Sequence, residues 1–396
     1  MITADLIESV PGERIVLKEP WAALTAELKR RPSGPVAVFT GRRSVEANGA
    51  WAHLEAVLRA ADRNAVRFSE IEAEPGVETV ERMAALLQEV NPAAVIALGG
   101  GSVMDAAKAA YLTMQSGWKL EEHFGSDCYS RVYPEAAPDR VICIPTTSGT
   151  GSEATPYANI VDHRLGVKKL ISERFIVPAL ALPIPAFTHS MPPAVTRATG
   201  CDALAHLIEG FLNVGADANS ALANEWALTG IRLVVENLPA AIADGGNAAA
   251  RNNMSMAATL GGMVIRFKST GLPHLCSFSW FGRLEHGIAV AMLLPASWSY
   301  YLGNPKVAER TMRLADYFPG DEPRGVIASY RRFLDSVGVP GALKDCDGIT
   351  PELLAATAAS GSENRMKLEL APYPVPVSDS ERILGGILKQ AYLGEF

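Results

Sequence analysis

AVIALGGGSVMDAAKAAYLTM (Ala94–Met114) decides the fold class. A short apolar run, Ala94–Leu98, ends in Gly99-Gly100-Gly101-Ser102, and an alanine-rich stretch with Asp105 and Lys108 follows it. The run reads as a buried strand, the glycines as a tight turn and the rest as a helix. Working outward, PVAVFT (Pro35–Thr40) is another compact apolar run, followed by Gly41 and a helical stretch to Leu58. AVRFSEI (Ala65–Ile71) is a further strand, and VETVERMAALLQEV (Val77–Val90) has its apolar residues at helical spacing. RVICIPTTSGTGSE (Arg140–Glu153) repeats the pattern of strand then small-residue loop. Strands alternating with helices predict a largely parallel sheet.

After about Pro185 the composition changes and strand signals cease. Thr199-Gly200-Cys201-Asp202 reads as a helix start. ALANEWALTGIRLVVENLPAAI, ARNNMSMAATLGGMVI, AERTMRLADYF, GVIASYRRFLDSV, TPELLAATAAS and SERILGGILKQAYL are further helices by periodicity. The expected class is α/β plus all-α: an α/β domain with a mostly parallel sheet over 1–185 and an all-helical domain over 186–396.

The 396 residues are 48% hydrophobic and 20% charged, with a net charge of −7 and no basic run. That balance excludes a nucleic-acid partner, which needs a dense basic surface. No apolar stretch reaches the roughly 20 residues that span a bilayer, so no membrane partner is expected. The amino-terminal segment lacks the pattern of a signal peptide. Cys128, Cys143, Cys201, Cys276 and Cys346 are scattered, without a CxxC pair. This fits reduced thiols in a cytoplasmic protein.

Asp202 and His206 in GCDALAHLIEGF are four apart and share one helix face. His274 and His286, in GLPHLCSFSWFGRLEHG, come from a later segment that can close the same site. A carboxylate with three imidazoles suits Fe2+, Zn2+ or a similar divalent ion. The glycine turn before a helix lets backbone N–H groups approach a pyrophosphate. Thr146–Glu153, again after an apolar strand, is dense in hydroxyls able to line a dinucleotide. Neither loop is the GxGxxG fingerprint, which disfavours a standard Rossmann dehydrogenase. His53, His123, His163 and His189 read as ordinary core or surface histidines.

GGGSVMDAAK, PTTSGTGSEAT, GCDALAH and the EHG ending at Gly287, in this order and approximate spacing, resemble the iron-containing (group III) alcohol dehydrogenases. The resemblance runs from about residue 10 to the C-terminus. It implies the dehydroquinate-synthase-like fold, with nicotinamide and metal held in a cleft between two domains. Carried over residue by residue, the metal ligands fall on Asp202, His206, His274 and His286. The cofactor-binding residues fall on Gly99, Gly100, Gly101, Ser102, Asp105, Thr146, Thr147 and Thr150. The family lysine after the hairpin falls on Lys168 or Lys169, with Lys169 preferred, and Ser152 is placed on the substrate side. The family's habit of self-association implies a homodimer, although the sequence marks no interface.

Three departures from the family stand out. Gly41 replaces the Asp that often selects NAD, and Arg42 and Arg43 follow it, so NADP(H) is favoured over NAD(H). Arg266 and Lys268 lie where the family's helix approaches the substrate, and two cations suit an aldehyde carrying a phosphonate, sulfonate or carboxylate. Phe278 takes the position of a histidine proposed to relay a proton, and it cannot carry one. These features predict an aldehyde reductase for a small, anionic aldehyde, like a phosphonoacetaldehyde reductase or one acting on sulfoacetaldehyde. The alternatives are a neutral short-chain alcohol dehydrogenase and a dehydroquinate-synthase-like cyclase.

Overall fold

The computed structural model describes residues 14–136, 141–215 and 221–396. They group into two compact units: residues through Met191 with Gly245–Gly262, and Pro192–Asp244 with Met263–Phe396. The Ala248–Lys268 helix therefore gives most of its length to the first unit and its last turns to the second.

The first unit is built on strands β1 (Val36–Gly41), β2 (Ala65–Ile71), β3 (Ala94–Gly99), β5 (Val141–Pro145) and β8 (Leu180–Ala181). They form one sheet in the order β2-β1-β3-β5-β8, and every pairing is parallel. Alternate residues of the central strands serve two separate cores. Ala37, Phe39, Val95, Ala97 and Cys143 pack with the Val77–Val90 and Gly101–Ser116 helices. Val36, Val38, Ile96, Leu98, Ile142 and Ile144 pack with the Pro20–Arg30 and Ala50–Ala60 helices. Burial on both faces is why these strands read as unbroken apolar runs. Truncating one such residue, Ile96→Ala for instance, costs about 2–5 kcal/mol.

A second, three-stranded sheet was not foreseen as a separate layer. It consists of β4 (Gly125–Ser126), β6 (Tyr157–Asp162) and β7 (Val167–Ser172), in the order β4-β7-β6 with an antiparallel β6–β7 pair. Its strands mix polar and apolar residues, which hid them from a reading based on apolar runs.

The second unit is helical among its described residues. The Pro193–Leu212 helix is buried almost continuously from Gly200 onward. It packs against the Ala221–Ala243 and His286–Tyr301 helices. It starts at Pro193, not near Thr199 as expected, because proline is well suited to the first helical turn, where its missing N–H is not needed. Asp202 thus sits in mid-helix, on rigid backbone. Among the described residues no helix is long and apolar enough to cross a membrane.

Candidate metal centre and dinucleotide edge

The four residues expected as ligands converge within the second unit. Asp202 and His206 lie one turn apart on the Pro193–Leu212 helix, His274 on a short helix (Leu272–Ser277), and His286 opens the His286–Tyr301 helix. Asp202 Oδ1 lies 3.7 Å from His206 Nε2, 3.6 Å from His274 Nε2 and 3.7 Å from His286 Nε2. The ligand atoms of Asp202, His274 and His286 all fall within 4.8 Å of one another. The His206 and His274 rings stack at 4.6 Å, and His286 meets His274 edge-on at 5.2 Å. Gly287 permits this approach, since a Cβ there would overlap Ala198 O and lie 3.0 Å from Asp202 Cβ.

The donor atoms fit a cation. Asp202 Oδ1 and His274 Nε2 are buried without a hydrogen-bond partner among the described residues, an expensive arrangement unless a positive ion satisfies both. Burial acts to raise the Asp202 carboxyl's pKa, but His206, His274 and His286 outweigh it and hold the group well below the usual carboxylate range. Burial works against the charged form of His274, yet Glu209 and Asp202 prevail and push its pKa up to about 9. Oxygen and imidazole nitrogen at this spacing suit a borderline divalent metal. His286 is the most open of the four, with 27% of its side chain exposed.

Two residues that sequence reading passed over orient the histidines. Glu209 Oε1 accepts a hydrogen bond from His274 Nδ1 at 2.5 Å. Ser277 donates its one proton to His274 O at 2.9 Å, so its oxygen accepts from His286 Nδ1 at 3.2 Å, leaving His286 Nε2 with a lone pair facing Asp202. Cys201 and Cys276 are buried thiols pushed up to about 12, inert packing as expected.

Lys268, expected on the substrate side, is instead buried. Its ammonium donates to Asn213 O at 3.3 Å and Asn224 Oδ1 at 2.7 Å, where a cation complements a helix C-terminus. Arg266 is half-buried, its guanidinium 5.5 Å from the Phe267 ring. Phe278 is half-buried in a single 3-10 turn, Phe278–Trp280.

In the first unit, Gly41 ends β1, the Gly99–Gly101 turn begins at the last residue of β3, and Thr146–Gly151 follows β5, and these three strands are neighbours in the sheet. The chain runs from β1 to β2 on one side and then from β3 to β5 and β8 on the other. The strand order therefore reverses between β1 and β3, where open parallel sheets bind ligands beyond their carboxyl ends. The two glycine-rich loops touch. A Cβ on Gly101 would meet Thr150 Cγ2 at 2.6 Å, and one on Gly100 would meet Thr147 at 3.2 Å. Gly151, at φ +61, lies against the Ala248–Lys268 helix, where a Cβ would fall 2.5 Å from Gly262 N. Thr146 is buried, with its N–H on Gly99 O at 2.9 Å. Ser148 Oγ is buried without a partner among the described residues, a polar atom the sequence reading did not single out.

Asp105 and Ser152, expected toward cofactor and substrate, bond to each other at 2.5 Å. Asp105 Oδ2 also accepts from Asn159 N, and the fully buried Lys108 donates to Ser152 Oγ at 2.7 Å. Both residues therefore brace the second loop. The Ser102 hydroxyl accepts from Glu74 N, and Lys168 pairs with Glu74 at 2.7 Å. Lys169 is half-buried next to it on β7, pointing to the other face by strand alternation. Arg42 and Arg43 are exposed just past β1. The neighbouring Arg67, unmarked in the sequence reading, bonds Thr40 Oγ1 at 2.9 Å and Glu46 at 2.6 Å and stacks on Trp51.

A doubly faced parallel sheet with glycine turns at its switch point and a buried Asp-and-three-His centre define a metal-site protein of mixed α/β and helical build. Residues 11–185 match the family described as iron-containing alcohol dehydrogenase, and residues 196–384 match the C-terminal domain of the Fe-containing alcohol dehydrogenase family. The chain belongs to the iron-containing alcohol dehydrogenase family. It is 36% identical over 259 residues to 1-propanol dehydrogenase PduQ of Salmonella typhimurium, a match covering 64% of each chain. It is 30% identical over 291 residues to the sulfoacetaldehyde reductase of Bilophila wadsworthia, covering 71% of each. An iron-containing alcohol dehydrogenase from Thermotoga maritima superposes with a TM-score of 0.81 at 27% identity, covering 96% of this chain and 98% of that one.

Proposed function

We propose that this chain is a metal-dependent, NAD(P)H-linked alcohol dehydrogenase that reduces a small aldehyde with an anionic head group, using NADP(H) in preference to NAD(H). The observation that carries the reading is the convergence of Asp202, His206, His274 and His286 around two buried donor atoms without partners. These four residues would hold a divalent ion, Fe2+ first and Zn2+ second, which supplies Lewis acidity toward a carbonyl oxygen. A nicotinamide would lie along the Gly99–Ser102 and Thr146–Gly151 loops and supplies the hydride.

The chain's own residues do the positioning. Asp202 contributes the negative charge, and Ser277 fixes the His286 tautomer. Lys108 and Asp105 brace the loop that carries Thr147 and Thr150. Phe278, in the turn that follows the His274 helix, offers no exchangeable proton. Gly41 leaves space beside β1, since a Cβ there meets only Ser44 Oγ at 3.8 Å. The absence of a carboxylate at that point supports NADP(H), with Arg42 and Arg43 as phosphate partners.

Arg266 and the likeness to a sulfoacetaldehyde reductase support a sulfonate or phosphonate head group. Two observations favour a second reading, a neutral short-chain alcohol dehydrogenase: Lys268 is engaged with Asn213 and Asn224, and the PduQ relative is named for 1-propanol. The test is an NADPH- and NADH-oxidation screen of sulfoacetaldehyde, phosphonoacetaldehyde and propanal, with Fe2+ and Zn2+ loaded separately. Arg266→Ala should raise KM for the anionic aldehydes about tenfold, the loss of one charge-assisted contact, and leave propanal unchanged. Equal effects on both would leave the neutral reading standing.

A further inference from the structure

We propose that Glu209 is the positioning residue that fixes His274 as a metal ligand, an inference that rests on the metal-centre reading above. Glu209 is 1% exposed, and each of its oxygens has a donor. Oε1 accepts from His274 Nδ1 at 2.5 Å, and Oε2 accepts from Gly271 N at 2.6 Å. A carboxylate offers only lone pairs, so Nδ1 carries the proton and His274 presents Nε2 toward Asp202. Glu209 stands seven residues after Asp202 on the same buried helix. One rigid element therefore sets both the carboxylate ligand and the group that aims the histidine at it. A metal-bound histidine held this way by a carboxylate is a better ligand and keeps its ring orientation.

The surrounding residues support the same segment. Tyr301 Oη accepts from Leu272 N at 2.7 Å. Lys367 donates to Thr270 Oγ1 at 2.9 Å and to Ser269 Oγ at 3.0 Å. A Cβ on Gly271 would lie 2.5 Å from Tyr301 Oη and 3.4 Å from Glu209 Oε2, so it is the close approach of the Tyr301 hydroxyl that requires glycine here. The turn leading into His274 is thus gripped by buried side chains from three helices, and of Tyr301, Lys367 and Glu209 it is Glu209 that bonds the imidazole itself.

The test uses the full chain stripped of metal by chelation and titrated with Co2+ against a competing chelator. It reads the dissociation constant, the Co2+ d–d absorption and the melting temperature of the metal-free protein. Glu209→Gln should weaken Co2+ binding about 10–100-fold and alter the d–d bands, beyond any loss of metal-free stability. A variant that melts lower when metal-free but binds Co2+ within twofold of the parent would show a clamp for Gly271 alone and overturn the proposal. Should Glu209→Gln not fold, Glu209→Asp is judged by the same criterion, its charge kept on a stem one methylene shorter. His274→Ala is the control. If it binds Co2+ as tightly as the parent, or the parent binds none, the metal-centre reading falls and the proposal with it. If the control loses affinity and Glu209→Gln does not, the proposal alone is wrong.

Discussion

Replacing Lys108 with methionine tests whether the second glycine-rich loop is held from beneath by one buried charge. The Lys108 side chain is fully buried. Its ammonium bonds Ser152 Oγ at 2.7 Å, Ser152 O at 3.0 Å and Thr155 Oγ1 at 3.3 Å, and lies 3.4 Å from Asp105 Oδ1. Methionine keeps the length and apolar stem but leaves Asp105, 13% exposed, without its cation. Removing one member of a buried ion pair costs about 3–5 kcal/mol, because the stranded charge is not rehydrated. For a unit of about 150–250 residues, each kcal/mol shifts the melting temperature by about 2–4 °C, so a drop of roughly 6–20 °C is expected. Differential scanning fluorimetry reads that shift, and NADPH fluorescence titration reads the loop, whose Thr147 and Thr150 sit on the glycine triplet. Nucleotide affinity should fall with stability. The double variant Lys108→Met/Asp105→Asn removes both charges and should recover at least half of the lost stability. A drop under 2 °C, or a double variant as unstable as the sum of its parts, would refute the bracing argument.

Gly41→Asp should lower the NADPH over NADH preference about tenfold through like-charge repulsion with a 2′-phosphate, while the open space around Gly41 spares the fold; the ratio of kcat/KM values for the two cofactors reads it, and an unchanged ratio counts against NADP(H). Glu27 is a separate acid-sensitive point: burial would raise its pKa, but hydrogen bonds from Arg14, Arg30 and Arg31 outweigh it and bring it down to about 2 from 4.5. A folded pKa below the unfolded one gives stability that is complete above pH 4.5 and lost as pH falls toward 2, at most about 3 kcal/mol. Glu27→Gln should therefore lower the urea midpoint at pH 7 and converge with the parent near pH 2, and a gap that persists there would contradict the ion-pair account.

Much of the fold was legible because its decisive strands are buried on both faces. Val36–Gly41 and Ala94–Gly99 have no polar alternation to obscure them, and Val77–Val90 has a clear helical stripe. The small β4-β7-β6 sheet was not legible, since Lys168 and Lys169 sit in mid-strand and break the apolar signal. At the site, the four residues that converge, Asp202, His206, His274 and His286, were readable from residue type and spacing. Their supports were not. Glu209 is an ordinary helix glutamate until tertiary packing brings Gly271 and His274 to its two oxygens. The same limit misled the reading of Lys268. A cation next to a presumed substrate face looks like an anion receptor, and only the fold shows the Asn213 carbonyl waiting for it.

The segment after His274 bears directly on how a proton reaches this centre. The Cys276 thiol is held up near 12 by burial and keeps its proton. The Ser277 proton is engaged with His274 O while its oxygen receives His286 Nδ1. Phe278 has no exchangeable proton at all. Three successive side chains are therefore closed to proton transfer. Of the four converging residues His286 has the greatest solvent access, at 27% of its side chain, whereas His274 is 5% exposed and His206 is 7% exposed. Solvent therefore reaches this four-residue cluster most readily on the His286 side, not along the His274–Phe278 segment.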